Sequence, residues 1–250
     1  MIIRRVHPGV DAPLELPAEQ HRLDALYATE RPEWLRLNFV SSIDGSVMGV
    51  DGTSGTLTRG ADRRVLGAIR RASDVVLVGA SSFRGEGYLL PRAVPLAVVT
   101  TSGDLTGHGM PASVESGSLL VLCPRSAVDT VRRTLAVTGA DIIELGDDGA
   151  AAPIGPPAIV ATLRQSGLRS IVCEGGPVLA GRLVAAGLVD DLCLSTSPTI
   201  GGPALRMLGG VELDPMALEL RQLLVDDSGV SYARWALPDH RSGRGPTATT

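Results

Sequence analysis

Aromatic side chains are scarce in this chain, at 3% of its 250 residues. That scarcity argues against stacking platforms for single-stranded nucleic acid. A strongly basic run is also missing, and the formal net charge is −4, so no polyanionic polymer is expected as a partner. No apolar run approaches the ~18 residues that a membrane-spanning helix needs. Arg4 and Arg5 have no apolar segment behind them, as a secretory leader would. The three cysteines, Cys123, Cys173 and Cys193, form no CxxC pair. Each stands in an apolar, strand-like context, which fits small buried hydrophobes in a reducing compartment. These absences lead us to expect a soluble cytoplasmic protein that contacts neither nucleic acid nor membrane.

Missing motifs narrow the chemistry further. His7, His21, His108 and His240 are scattered, without HExxH or a Cys/His cluster at ligand spacing, so no metal is expected. No GxGxxG follows a strand-like segment and no Walker A loop occurs, which disfavours a standard Rossmann site and ATP hydrolysis. A nucleophile elbow is absent too, leaving a serine hydrolase little to stand on.

What is present is a large apolar fraction, 44%, against 20% charged residues. A sizeable core is therefore expected. Helical spacing of Leu23, Leu26 and Tyr27 predicts a helix over 17–30. Strands are predicted over 34–40, 74–78, 96–100, 119–123, 142–145, 170–173 and 192–196. Helices are predicted over 61–71, 126–137, 158–166 and from Pro177 to about Ala186. Residues 41–55 read as a glycine-rich loop or hairpin, 80–92 as a polar loop, and 146–157 as a loop within the domain. The runs 218–225 and 230–236, separated by Asp226-Asp227-Ser228-Gly229, suit an antiparallel hairpin. Strands alternating with helices predict a mostly parallel sheet covered on both faces, with an antiparallel edge.

The most informative stretch is Glu174-Gly175-Gly176-Pro177. A buried strand stops there and a helix starts, with Pro177 suited to its first turn and Gly187 to its left-handed cap. Two glycines at that junction let a ligand approach the backbone, and the helix start offers free N–H groups to phosphate. Glu174 stands at the lip of the crevice where open α/β sheets bind ligands. Asp44, before Gly45 at a strand end, reads on spacing alone as a turn aspartate bonding its own backbone. Arg92, on spacing alone, reads as a solvated loop residue. Thr56 or Thr58 suits the start of the helix that opens near Asp62. The segment after the 74–78 strand is small and polar, as befits close approach to a ligand.

Taken in order, Asn38-Phe39-Val40-Ser41-Ser42-Ile43-Asp44-Gly45, Asp62-Arg63-Arg64 through Arg70, Asp74 to Ala80 with Arg84, Glu86 and Tyr88, Glu174 to Pro177, Gly187 to Asp191, Pro198 and Gly201-Gly202 resemble the reductase domain of bacterial riboflavin biosynthesis. The resemblance covers about residues 30–237. The HxE and PCxxC signature of the zinc deaminase that often accompanies this reductase does not occur here, so the likeness extends to the reductase half alone. It implies an α/β, dihydrofolate-reductase-like fold: a mostly parallel central sheet flanked by helices, with an antiparallel C-terminal hairpin. The expected layout is an extension with one helix over 1–30, a reductase domain over 31–237 and a flexible tail over 238–250.

Members of that family reduce 5-amino-6-(5-phosphoribosylamino)uracil to its ribityl form with NADPH. Carried over by motif, Thr58, Asp62, Gly79, Ala80, Ser81, Ser82, Glu86, Gly175, Gly176, Pro177, Val178 and Leu179 would hold the cofactor. Asp44, Arg70, Arg92 and Glu174 would face a phosphorylated small-molecule substrate. Asp44 and Glu174 are the catalytic candidates, with Asp44 placed nearest the reacting carbon. Thr100, Thr101 and Ser102 offer hydroxyls where this fold seats the adenosine ribose, and no acid stands at that strand end to bind a free 2′-hydroxyl, so NADPH is preferred to NADH. The resemblance also implies a homodimer, and the apolar hairpin at 218–236 would leave a hydrophobic edge strand if exposed. Two other readings stay open: a dihydrofolate or pterin reductase of the same fold, and a nucleotide-binding regulator without turnover.

Overall fold

A computed structural model describes residues 1–88, 90–146 and 154–238. The chain begins with β1 (Ile2–His7), β2 (Leu14–Glu15), α1 (Gln20–Leu26) and β3 (Trp34–Ser41). It continues through α2 (Asp62–Arg71), β4 (Val75–Gly79), α3 (Ala80–Gly85), β5 (Leu96–Val99), β6 (Leu119–Pro124), α4 (Val128–Leu135) and β7 (Asp141–Leu145). The last elements are α5 (Pro156–Gln165), β8 (Ser170–Cys173), α6 (Pro177–Ala185), β9 (Asp191–Thr196), β10 (Glu219–Asp226) and β11 (Ser231–Ala236). All strands join one sheet in the order β2-β1-β10-β11-β9-β3-β8-β4-β5-β6-β7. Pairing is parallel from β9 through β7 and antiparallel from β9 outward through β11, β10, β1 and β2.

The residue patterns follow from which faces are covered. Val75, Val76, Leu77 and Val78 of β4 are all fully buried, because helices pack on both faces of a parallel sheet. Leu23 of α1, Val65, Ala68 and Ile69 of α2, Phe83 of α3 and Val131 and Leu135 of α4 fill one core with Val76, Val78, Val98 and Val121. Ile159 and Leu163 of α5 and Ala180 and Leu183 of α6 fill the other with Leu35, Leu37, Leu77 and Ile171. Each fully buried leucine, isoleucine or valine contributes ~1.5–3 kcal/mol. Along β10 and β11 burial alternates instead.

A polar lock ties three strands together beneath these cores. Arg36 of β3 and Asp191 of β9 are each 1% exposed. Arg36 donates from Nε and Nη2 to the two carboxylate oxygens of Asp191 at 2.9 and 3.0 Å. Arg234 of β11 donates from Nε to Asp191 Oδ2 at 2.5 Å, and the Trp34 indole N–H donates to Oδ1 at 3.0 Å. Tyr27 caps the arrangement with its carbonyl on Arg36 Nη1, at 2.9 Å.

Three sequence expectations need correction. Residues 80–85 open the predicted polar loop as a helix, α3, whose Phe83 is buried. The first thirty residues hold the expected helix but also β1 and β2, which are strands of the main sheet. Consequently β10 is not an open edge: β1 pairs along it, with Ile3 opposite Asp226 and Arg5 opposite Leu224. The exposed-edge argument for a dimer therefore falls. The expected tail, beyond Pro238, lies outside the described residues, as do residues 147–153 of the predicted 146–157 loop. Among the described residues, no helix is long and apolar enough to cross a membrane.

The topology itself marks a binding crevice. From β4 the chain turns outward through α3 to β5, whereas from β8 it crosses β3 through α6 to β9. β4 and β8 are neighbours, so their carboxyl ends lie where the two connections diverge. Ligands of open α/β sheets bind at such a switch point.

Candidate active site

At that switch point the starts of α3 and α6 converge. Gly79 donates its N–H to the Gly175 carbonyl at 2.9 Å, and Glu174 donates its own to Leu77 at 3.0 Å. A Cβ placed on Gly176 would lie 3.0 Å from Ser81 Oγ and 3.1 Å from Ser82 Oγ; one on Gly175 would lie 3.1 Å from Ser82 Oγ. Gly175 also holds a positive φ of 131°, a region that favours glycine. The two glycines thus keep two hydroxyls and the start of α6 within reach of one ligand. Pro177 sits in the first turn of α6 and Gly187 ends that segment with φ 63°, both as the sequence indicates.

In front of this seam lies a cleft of about 510 Å³. Its walls come from β3 (Asn38, Phe39, Val40), the glycine-rich 47–58 segment, α2 (Asp62, Leu66, Arg70), the 81–88 segment, and Glu174, Gly175, Pro177 and Leu205. The volume suits a ligand that buries most of its surface.

One charged cluster dominates the floor. Arg70 donates from Nε to Glu174 Oε1 at 2.7 Å and from Nη2 to Oε2 at 2.6 Å. The Tyr88 hydroxyl donates to Oε2 at 3.0 Å. Burial is the main cause that pushes the Tyr88 hydroxyl well above the usual tyrosine range, with the Glu174 charge adding to it. Tyr88 therefore stays a proton donor at any working pH. Nearby, Glu86 Oε2 accepts both the backbone N–H of Ser54, at 3.1 Å, and its hydroxyl, at 2.7 Å. That contact ties the glycine-rich segment to the end of α3.

Asp62 completes the polar set. It opens α2 and lines the cleft although it is 8% exposed. Burial raises its pKa, and hydrogen bonds from the hydroxyls of Ser195 and Thr58 oppose that rise. The α2 start is itself anchored, because Asp226 Oδ2 accepts the Ala61 N–H at 2.8 Å. Asp226 also accepts from the Tyr232 hydroxyl at 2.7 Å and from the Ser228 and Val230 N–H groups at 2.9 and 3.1 Å.

Of the residues singled out in the sequence, the cleft gathers Thr58, Asp62, Arg70, Ser81, Ser82, Glu86, Glu174, Gly175 and Pro177. Gly79, Ala80, Gly176 and Leu179 are not among the lining residues; Gly79 bonds Gly175 and lies against Gly176 and Leu179 in the seam beside it. Val178 is 56% exposed and packs toward Gly209. Asp44 is not brought to the cleft. It sits on an exposed turn, where its Oδ2 accepts the Gly201 N–H at 3.2 Å and the Ser42 hydroxyl lowers its pKa. Arg92 is exposed and is not among the lining residues. Thr101 is exposed at the end of β5, while Thr100 and Ser102 accept turn N–H groups of Gly103 and Asp104. Arg84 reaches that same turn, donating to the Asp104 carbonyl.

Sequence reasoning missed Asn38, Tyr88 and Ser54 as cleft residues. A single amide inside the apolar 34–40 strand was a signal for the first. Tyr88 had none beyond its place in the motif, because its partner Glu174 is 86 residues away.

Residues 33–232 match the RibD C-terminal domain family. The riboflavin biosynthesis protein RibD of Chlamydia pneumoniae is 23% identical over 207 residues, covering 76% of this chain and 54% of that protein. The chain thus spans about half the length of that relative. A pyrimidine reductase-like protein from Corynebacterium diphtheriae superposes with a TM-score of 0.69 at 20% identity, covering 86% of this chain and 98% of that one. A Thermotoga maritima diaminohydroxyphosphoribosylaminopyrimidine deaminase/5-amino-6-(5-phosphoribosylamino)uracil reductase superposes at 0.64 with 18% identity, over 87% of this chain and 60% of the other. With the family matched over most of its length, the chain belongs to the RibD C-terminal domain family.

Proposed function

We propose that this chain reduces 5-amino-6-(5-phosphoribosylamino)uracil to the ribitylamino compound with NADPH. The observation that carries the reading is the seam of Gly175 and Gly176 against Ser81 and Ser82, opening directly onto the Arg70–Glu174–Tyr88 cluster. Close backbone approach and hydroxyl donors fit a dinucleotide pyrophosphate at the start of α6. Ser81, Ser82, Gly175, Gly176 and Pro177 would hold it there, and Thr101 with Arg84 would meet the adenosine end. A cation beside that turn suits a 2′-phosphate, which favours NADPH over NADH. When bound, the cofactor supplies the hydride.

The protein's own share is orientation and electrostatics. Glu174 accepts from Arg70 at both oxygens and from Tyr88 at Oε2, so it positions both and keeps acceptor capacity for a polar group of the substrate. Arg70 keeps Nη1 for a polar group of the ligand and stays cationic next to its carboxylate. Apolar Phe39, Val40, Val47 and Leu66 exclude water around the ring. The cleft lining carries Asp62, Glu86 and Glu174 against Arg70 alone, so the substrate phosphate would extend past the lining toward exposed arginines such as Arg92.

The homodimer belongs to this proposal. Exposed Ile43 and Ile200 stand on turns joined by the Ile43 N–H to Thr199 carbonyl bond of 2.8 Å, with exposed Val50 beside Gly202, and they offer apolar surface for a second copy.

A parallel assay of NADPH absorbance loss with the ribosylaminouracil phosphate and with dihydrofolate tests the reading. Turnover of the first alone is the expected result. Turnover of dihydrofolate alone would give the pterin reading, and NADPH binding without either turnover would give the regulator.

A further inference from the structure

The charged side chains on the cleft floor are already engaged. Arg70 and Tyr88 are bonded to Glu174, and Glu86 is bonded to Ser54. Asn38 stands beside them on different terms. It lines the same cleft from β3 and is half-buried, yet its carboxamide has no hydrogen-bond partner among the described residues.

Strand geometry fixes where that amide stands. Leu35, Leu37 and Phe39 belong to the core on the α5 and α6 side of the sheet. Successive side chains alternate between faces, so Asn38 shares the other face with Arg36, which bonds the Tyr27 carbonyl just past α1. That is the face α2 covers, and Leu66 and Arg70 of α2 line the cleft with Asn38. In the parallel ladder Leu37 lies beside Cys173 of β8. One step on, Asn38 and Glu174 are lateral neighbours on strands about 4.8 Å apart. On its other flank Asn38 pairs with Cys193 of β9. The amide is therefore presented by a rigid central strand, next to the Arg70–Glu174 pair.

Val40 and Leu66 give it an apolar surround within the cleft. A ring lying on that surface displaces the water from the amide and must supply partners for both of its groups. A primary amide carries an acceptor and a donor side by side. We propose that Asn38 reads the ring edge of the substrate, its oxygen accepting a ring N–H and its nitrogen donating to the adjacent ring carbonyl. This rests on the reading of the chain as a reductase of a pyrimidine compound. Arg70 only donates and the carboxylates only accept, so neither can match both groups of such an edge. Tyr88 gives its proton to Glu174.

The test is calorimetric binding of three probes to wild type, Asn38→Leu and Asn38→Asp, with thermal melts by circular dichroism. The probes are 5,6-diaminouracil, its 1,3-dimethyl derivative, which has no ring N–H, and 2,5,6-triaminopyrimidin-4-one, in which an amino group replaces one carbonyl. We expect wild type to bind diaminouracil at least about tenfold more tightly than the dimethyl probe. Asn38→Leu should bind diaminouracil roughly ten- to a hundredfold more weakly and lose most of that preference. It should melt as wild type does, because the amide has no protein partner to forfeit. Asn38→Asp accepts at both oxygens, so its affinity ratio should move toward the triamino probe by about tenfold relative to wild type.

A preference for diaminouracil over the dimethyl probe that survives in Asn38→Leu, or an unshifted ratio in Asn38→Asp, would overturn the proposal. So would equal loss for all three probes together with a lower melting temperature, the mark of a structural amide, or failure of wild type to bind diaminouracil. Turnover of the ribosylaminouracil phosphate is scored separately. Its absence with the probe pattern intact overturns the reductase reading alone, and its presence with an unaffected Asn38→Leu overturns the role of Asn38 alone.

Discussion

Arg70 grips Glu174 at both carboxylate oxygens, with Nε–Oε1 and Nη2–Oε2 separations of 2.7 and 2.6 Å. The pair joins α2 to the end of β8 across the floor of the cleft. A lysine offers one point charge and cannot span two oxygens. Arg70→Lys should therefore lower kcat/KM with the ribosylaminouracil phosphate by roughly ten- to a hundredfold while the fold persists. Steady-state kinetics at saturating NADPH will show it, and a wild-type value for the lysine variant would remove Arg70 from the site.

Asp191 holds two buried arginines, Arg36 and Arg234. Its removal strands their charges, and truncating one member of a buried ion pair costs about 3–5 kcal/mol. Urea unfolding of Asp191→Ala should show a loss of that order. A loss below about 1 kcal/mol would mean water reaches the site.

Asp226 gives the chain an acid-sensitive joint. Its pKa is held below the usual aspartate range, because hydrogen bonds from Ser228, Tyr232, Ala61 and Val230 outweigh burial. A depressed carboxyl contributes stability above its unfolded pKa and loses it as pH falls through the folded one. Thermal melts should thus show wild type losing stability in acid, with a flatter profile for Asp226→Asn. At neutral pH the asparagine variant should be the less stable, and equal melting temperatures would contradict the assignment.

Cys123, Cys173 and Cys193 are buried, and burial pushes their thiols up to about 11, 12 and 12. The thiolate is the reactive form. A disulfide reagent at mildly alkaline pH should leave the native protein unlabelled and modify all three on unfolding. Rapid labelling of the native chain would count against this burial.

Much of the fold was legible because strands covered on both faces, such as Val75 to Val78, are continuous apolar runs bounded by glycine or charge. The seam at Gly175 and Gly176 was equally legible, since few other residues fit between a strand and a helix that must approach a ligand. β1 was not, because Ile2 to His7 carries two arginines and a histidine and acquires its meaning only from pairing with β10. α3 escaped for a related reason: a six-residue helix of small polar residues has no periodicity to read, and Phe83 alone buries it. In the site, residue types were readable but pairings were not. That Glu174 would be gripped by Arg70, and that Asp44 would stay on a turn with Gly201, depend on contacts across 104 and 157 residues.

The pairing of β1 with β10 also dictates an order of events. The Ile2 N–H bonds the Asp227 side chain across a separation of 225 residues. β1 can find this neighbour only after the residues that separate them have left the ribosome, and contacts that close so long a loop form late. Until then β1 carries an unpaired edge on the nascent chain, and the outer edge of the sheet is the last seam to be sewn.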